Sequence, residues 1–142
     1  MRVVVDTVVF VRALINPHGR WGRLVFEYTG RYGLVLSEPI TREVLEVLHR
    51  PELTRKYRSD PTRNLATLIA RLAALQIVEL ATIRPVSRDP SDDKFLATAK
   101  AAGATHLVSE DEDLLTLNEY EGISIIDAST FLHLLEQTEE NA

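Results

Sequence analysis

The chain has 142 residues, 45% hydrophobic and 26% charged, the composition of one globular domain large enough to bury a core. It has no cysteine, which excludes disulfides, thiolate metal sites and a cysteine nucleophile. The net charge of −5 hides an asymmetry: residues 1–88 carry 14 Lys/Arg against 8 Asp/Glu, and residues 89–142 carry 2 against 13.

Val3-Val4-Val5 is short, β-branched and continuously apolar, as a strand covered on both faces must be. Residues 8–15 read as a helix stopped by the turn cluster Asn16-Pro17-His18-Gly19, and residues 20–31 as a second helix with Trp21, Leu24, Val25 and Tyr28 on one stripe. Leu34-Val35-Leu36 is the next buried strand, followed by a helix from Ser37 and Pro39 to about His49, ended by Pro51. Residues 52–59 form a short basic segment. Asp60 and Pro61 then suit the cap and first position of a long helix to about Leu75. Residues 76–80 are a short strand, 84–90 a loop, and 91–102 a helix ending at Gly103. A strand over 105–109, a short helix over 111–117, a strand over 123–126 and a helix over 128–137 complete the pattern. The polar tail 139–142 lies outside the domain, 1–138. Strands alternating with helices predict an α/β fold with a parallel sheet covered on both faces. No stretch approaches the roughly 18 apolar residues of a membrane span. No signal-peptide succession opens the chain, so a cytoplasmic protein is expected.

In such a sheet the carboxyl ends of the strands form the ligand crevice. Four acids fall there: Asp6 after the first strand, Glu43 on the helix after the second, Asp92 at a helix start, and Asp111 after Leu107-Val108. Helical phase chooses among neighbours. Glu43 flanks the stripe Ile40, Val44, Val47 and Leu48, whereas Glu46 points away. Asp92 sits in phase with Phe95, Leu96, Ala99 and Gly103, whereas Asp93 is rotated off that face. Each acid has another use: Asp92 suits a helix N-terminus, Glu43 an ordinary flank, and Glu110-Asp111-Glu112-Asp113 a solvated acidic turn. Asp6 is the exception, because an acid directly after a buried apolar strand needs a partner. Oxygen-only ligands suit Mg²⁺ or Mn²⁺, and close carboxylates repel one another until a cation neutralises them. Hydrolysis of a phosphodiester is the chemistry such a site serves. A basic half beside an acidic centre likewise suits a polyanion substrate, although an unevenly charged solvated surface has the same composition.

At these residues the chain resembles the PIN domain family of metal-dependent ribonucleases, and within it the branch of toxin components of toxin–antitoxin pairs. The resembling segments are Val3-Val4-Val5-Asp6-Thr7, Leu36-Ser37-Glu38-Pro39-Ile40 leading to Glu43, Arg88-Asp89-Pro90-Ser91-Asp92-Asp93-Lys94-Phe95-Leu96, and Leu107-Val108-Ser109-Glu110-Asp111-Glu112-Asp113-Leu114. The resemblance implies a three-layer α/β/α sandwich around a parallel sheet of about five strands. It also implies Mg²⁺ or Mn²⁺ on Asp6, Glu43, Asp92 and Asp111, an RNA substrate, a homodimer and a small antitoxin covering the cleft. Two positions depart from the family pattern. Val8 stands where Asn is usual, removing a polar group beside the site, and Ser109 stands where Thr is usual, keeping the hydroxyl. Arg20, Arg23, Arg42, Arg55, Lys56 and Arg58 are candidates for holding RNA, with Ser109 also near the substrate. Solvated helix faces are the plainer reading of each of these bases. His18, His49, His106 and His133 show no metal spacing, and Trp21 reads as core or interface rather than as a base-stacking platform. Rival classes fit less well. A phosphatase of the dehalogenase type needs a second Asp where Val8 stands, and a phosphoryl receiver needs Lys where Asp127 stands. A non-catalytic PIN-like module that binds RNA or protein is the nearer alternative.

Overall fold

A computed structural model describes residues 1–16, 18–28, 31–50, 77–80, 83, 85–86 and 89–140. The expected basic segment 52–59 with Arg55, Lys56 and Arg58, and the expected helix from Asp60 to Leu75, lie outside the described residues. β1 (Arg2–Val5) is the centre of the sheet. Val3, Val4 and Val5 are fully buried, which a strand covered on both faces requires. β1 pairs in parallel with β2 (Gly33–Ser37) on one side and β4 (His106–Val108) on the other. β3 (Ile77–Val78) adds to β2, and β6 (Ile123–Ile126) adds to β4, both parallel. The order is β3-β2-β1-β4-β6-β5, so five strands are parallel, as expected.

β5 (Glu119–Tyr120) is a short antiparallel edge that the sequence does not announce. It turns into β6 through Glu121 and Gly122, at φ 48° and 84°, the left-handed pair that suits a two-residue hairpin. Glu-Gly is a weaker written signal for that turn than Asn-Gly or Asp-Gly.

α1 (Thr7–Ile15) starts directly after β1 because Asp6 caps it: its Oδ1 accepts from the Val9 amide at 2.9 Å. The expected single helix over 20–31 is instead α2 (Arg20–Gly22) running into a π-helical turn, Arg23–Glu27, closed by the Tyr28 amide on the Arg23 carbonyl. There the Tyr32 hydroxyl donates to the Leu24 carbonyl at 2.6 Å, a polar tether that apolar periodicity does not encode. α3 (Glu38–Leu48) buries Ile40, Val44 and Leu48. A 3₁₀ turn (Pro90–Asp92) leads into α4 (Asp93–Ala102), which stops at Gly103 in the left-handed region, φ 62°. α5 (Glu112–Leu115) follows β4, and α6 (Ala128–Glu140) follows β6, running past the expected end at 137.

α1 packs on α2 and α3, α4 lies across β1, β2 and β4, and α5 packs on β6. By the right-handed crossover rule α1 to α3 cover one face of the sheet and α4 the other. α6 returns to the first face, where Phe131 meets Tyr32 edge-on at 5.3 Å and Glu136 pairs with Arg23 at 3.6 Å. Strand order reverses between β1 and β4. The carboxyl ends of these two strands therefore border a crevice, and Asp6 and Ser109 stand at its rim. Among the described residues no helix is long and apolar enough to cross a membrane.

Candidate metal centre

Asp6 is 3% exposed and fully engaged. Besides capping α1, its carboxylate accepts through Oδ2 from the Ser109 hydroxyl and from the Glu110 amide at 3.1 Å. Burial pushes its carboxyl above the usual range, opposed by the Ser109, Val9 and Glu110 hydrogen bonds. Ser109, fully buried, also accepts from the Asp111 amide at 2.9 Å. One hydroxyl thus ties the loop after β4 to the end of β1.

Asp92 is 6% exposed, and among the described residues its Oδ2 has no hydrogen-bond partner. Its carboxyl is pushed up to about 7, first by burial and then by Asp111, Asp89 and Asp113, with Lys94 opposing. One carboxylate oxygen each from Asp89, Asp92 and Asp113 lies within 4.8 Å of the others. Of this trio the sequence selected only Asp92. Asp89 lies in a segment read as loop, where no helical phase applies. Its carboxylate caps the 3₁₀ turn by accepting from the Ser91 amide at 3.0 Å, which holds its pKa below the ordinary value. Asp113 comes two residues after Asp111 in the acidic run. Asp111 caps α5, its Oδ1 accepting from the Asp113 amide at 2.8 Å, and stands close enough to Asp92 to raise its pKa.

Glu43 is half-buried and forms an ion pair with Lys94, whose side chain is 13% exposed and also donates to the Ser91 carbonyl. Lys94 reaches Glu43 from α4, which the buried Ser37–Thr98 hydroxyl pair, 2.7 Å apart, fastens to the end of β2. Asp93 was expected off the buried face and is instead 4% exposed. Its Oδ1 accepts from the Val86 amide at 3.1 Å, so a passing loop covers a position that helix phase alone leaves in solvent.

The basic candidates separate by their partners. Arg42 pairs with Glu38, and Arg23 pairs with Glu27 and Glu136. Arg20 is exposed, and its guanidinium lies 5.8 Å from the Trp21 ring centre. Trp21 is half-buried against the core, as expected, and its indole N–H reaches the Glu110 carboxylate at 3.4 Å.

The arrangement suits a hard divalent cation on three counts: all-oxygen donors, a tight carboxylate trio, and a buried carboxylate oxygen with no proton donor facing it. Known proteins bear on what such a centre serves. A family model described as "PIN domain" matches residues 2–113, a span holding Asp6, Glu43, Asp89, Asp92, Asp111 and Asp113. An uncharacterized protein of Methanocaldococcus jannaschii, MJ1680, is 35% identical over 127 residues, which is 84% of this chain and 76% of that one. The crystal structure of PAE2754 from Pyrobaculum aerophilum has the same fold, with a TM-score of 0.55 and 18% identity over 96% of this chain and 90% of that one.

Proposed function

We infer that this chain, which belongs to the PIN domain family, is a Mg²⁺- or Mn²⁺-dependent endoribonuclease. PIN domains are in general metal-dependent nucleases, so the finer proposal concerns the ion, the substrate and the residues. The observation that carries it is the Asp92 carboxylate, buried without a partner for Oδ2 and crowded by Asp89 and Asp113. An isolated buried carboxylate is costly, and a divalent ion removes that cost. Asp6, Glu43, Asp92 and Asp111 are the proposed ligands, with Asp89 and Asp113 adding negative charge beside Asp92. A bound ion supplies Lewis acidity toward a phosphoryl oxygen and a lowered pKa for an attacking water.

The chain's own groups prepare that site. Ser109 and the Glu110 amide fix the direction of the Asp6 carboxylate, and the α1 cap holds its other oxygen. Lys94 neutralises Glu43 in the ion-free protein, a charge that a bound ion would replace. Asp92 is half ionised near neutral pH in the ion-free protein, so ion binding displaces its proton.

The proposal extends to the toxin component of a toxin–antitoxin pair, acting in the cytoplasm as a homodimer with an antitoxin over the cleft. It rests there on the motifs around Asp92 and Asp111 alone. One observation favours a second reading, a non-catalytic module binding RNA or protein. Val8, 48% exposed beside Asp6, offers no polar group to the site. Cleavage of a fluorescently labelled RNA separates the two. Ion-dependent cleavage abolished by chelation, by Asp6→Asn and by Asp92→Asn is the expected result. Cleavage that survives both substitutions rejects the site assignment, and no cleavage by the native chain with Mg²⁺ or Mn²⁺ favours the module.

A further inference from the structure

Two exposed arginines lie against Trp21, whose indole N–H meets the Glu110 carboxylate, and Arg20 also feels the Asp127 carboxylate from beyond ion-pair distance. Among the described residues Arg12 and Arg20 form no ion pair, whereas Arg23 and Arg42 are neutralised by neighbouring glutamates. Arg12 lies with its guanidinium 4.8 Å from the centre of the Trp21 ring, and Arg20 approaches the same ring at 5.8 Å. A guanidinium over an indole keeps its charge and its donor fork while losing much of its rotamer freedom.

The ring itself is anchored to the catalytic edge. Its N–H meets the Glu110 carboxylate, which also accepts from the Ala128 amide at 3.1 Å, and the Glu110 backbone amide donates to Asp6. Arg12 also follows exposed Val8 by four residues on α1, so the two share the helix face that begins beside Asp6. A chain of contacts therefore leads from Asp6 through Glu110 to Trp21 and its two arginines.

We propose that Arg12, Trp21 and Arg20 form a binding subsite for single-stranded RNA next to the scissile bond. The two guanidinium forks grip backbone phosphates, and a base stacks on the exposed Arg12 guanidinium that lies over the half-buried Trp21 ring, a platform the indole alone does not offer. This rests on the endoribonuclease reading and names where its substrate lies. Planar cations held on an aromatic ring and in no close ion pair match a strand that offers both phosphates and unstacked bases. Arg12 is absent from the bases that the sequence alone nominated, because a lone arginine at the end of a short helix has no pattern.

The chain has a single tryptophan, so its emission reports on this subsite directly. The native protein in chelator is titrated with a labelled single-stranded oligoribonucleotide, following Trp emission and, separately, label anisotropy. Emission should change along the same isotherm as anisotropy. Arg12→Gln and Arg20→Gln, both at exposed positions, should each weaken binding roughly five- to tenfold and flatten the salt dependence by about 0.7 in log–log slope. Binding seen by anisotropy with unchanged Trp emission overturns the subsite and leaves the nuclease reading standing. So does an unchanged salt slope in both variants. No binding in chelator overturns the subsite, which needs no ion, and leaves the nuclease reading to the cleavage assay. Emission that responds to polyglutamate but not to RNA overturns the proposal in favour of an acidic protein partner.

Discussion

Asp92→Asn should stabilise the protein above neutral pH while abolishing the proposed metal-dependent cleavage. The carboxyl of Asp92 is raised from 3.8 to about 7, by burial first and by its acidic neighbours second. A rise of that size corresponds to roughly 4 kcal/mol between the two protonation states, and solvent at the mouth of the crevice screens it to on the order of 2 kcal/mol. The sign follows from where each state ionises. Below about pH 4 the carboxyl is protonated in both states and nothing is lost. Between about pH 4 and 7 the unfolded chain ionises it and the folded chain does not, so stability falls as pH rises; above 7 the full penalty stands. Asn carries no charge at any pH and escapes this slope. Urea denaturation without divalent ions, at pH 4.5 and at pH 8, measures the difference. The variant should match the native chain within about 1 kcal/mol at the lower pH and exceed it by about 2 kcal/mol at the higher. Adding Mn²⁺ at ten times its dissociation constant should return about 1.4 kcal/mol to the native chain and little to the variant. A variant that is less stable at pH 8, or that keeps the native pH slope, refutes the picture of Asp92 as a strained carboxylate awaiting a cation.

Ser109→Ala leaves Asp6 Oδ2 with only the Glu110 amide and strands the Asp111 amide, so it should cost about 1–3 kcal/mol in urea denaturation and raise the Asp6 pKa further. Lys94→Met removes the ammonium that pairs with Glu43 and opposes the rise at Asp92; at pH 8 it should tighten Mn²⁺ binding several-fold by titration calorimetry. Gly103→Ala meets no atom within 4 Å of the added Cβ but must hold φ 62°, so its cost should be about 1 kcal/mol, all of it backbone, in thermal unfolding.

The features that were legible in the sequence are those with a steric or periodic cause. Val3-Val4-Val5 announces a central strand because burial on both faces leaves no polar position to fill. Gly103 announces a helix end because few other residues accept its conformation. Features without a local signature depend on contacts between distant segments. Edge strand β5 is two residues long and turns on Glu121-Gly122. The π-helical turn at Arg23–Glu27 sits beside a hydroxyl contributed by Tyr32. Helix phase placed Asp92 on the buried side even though the residue lies in the 3₁₀ turn that precedes α4, since that turn runs directly into the helix. The same phase failed for Asp93, because it counts only the helix's own neighbours and Val86 arrives from outside.

Asp89 and Asp113 show why the carboxylate set is broader than any one periodicity reveals. Each serves or neighbours a local turn: Asp89 caps the 3₁₀ turn, and the Asp113 amide is held by the Asp111 cap of α5. Turn chemistry alone therefore accounts for an acid at those positions. It does not account for the two turns bringing their carboxylates together around Asp92, whose Oδ2 no donor satisfies. A fold selected only for stability would place a donor there or exchange the acid for a neutral side chain. Lys94 opposes the rise at Asp92, yet its ammonium is directed to Glu43 and the Ser91 carbonyl. The repulsion left among the carboxylates is free energy that a divalent ion recovers on binding, so the same three-acid crowding that lowers stability at neutral pH also raises affinity for the ion.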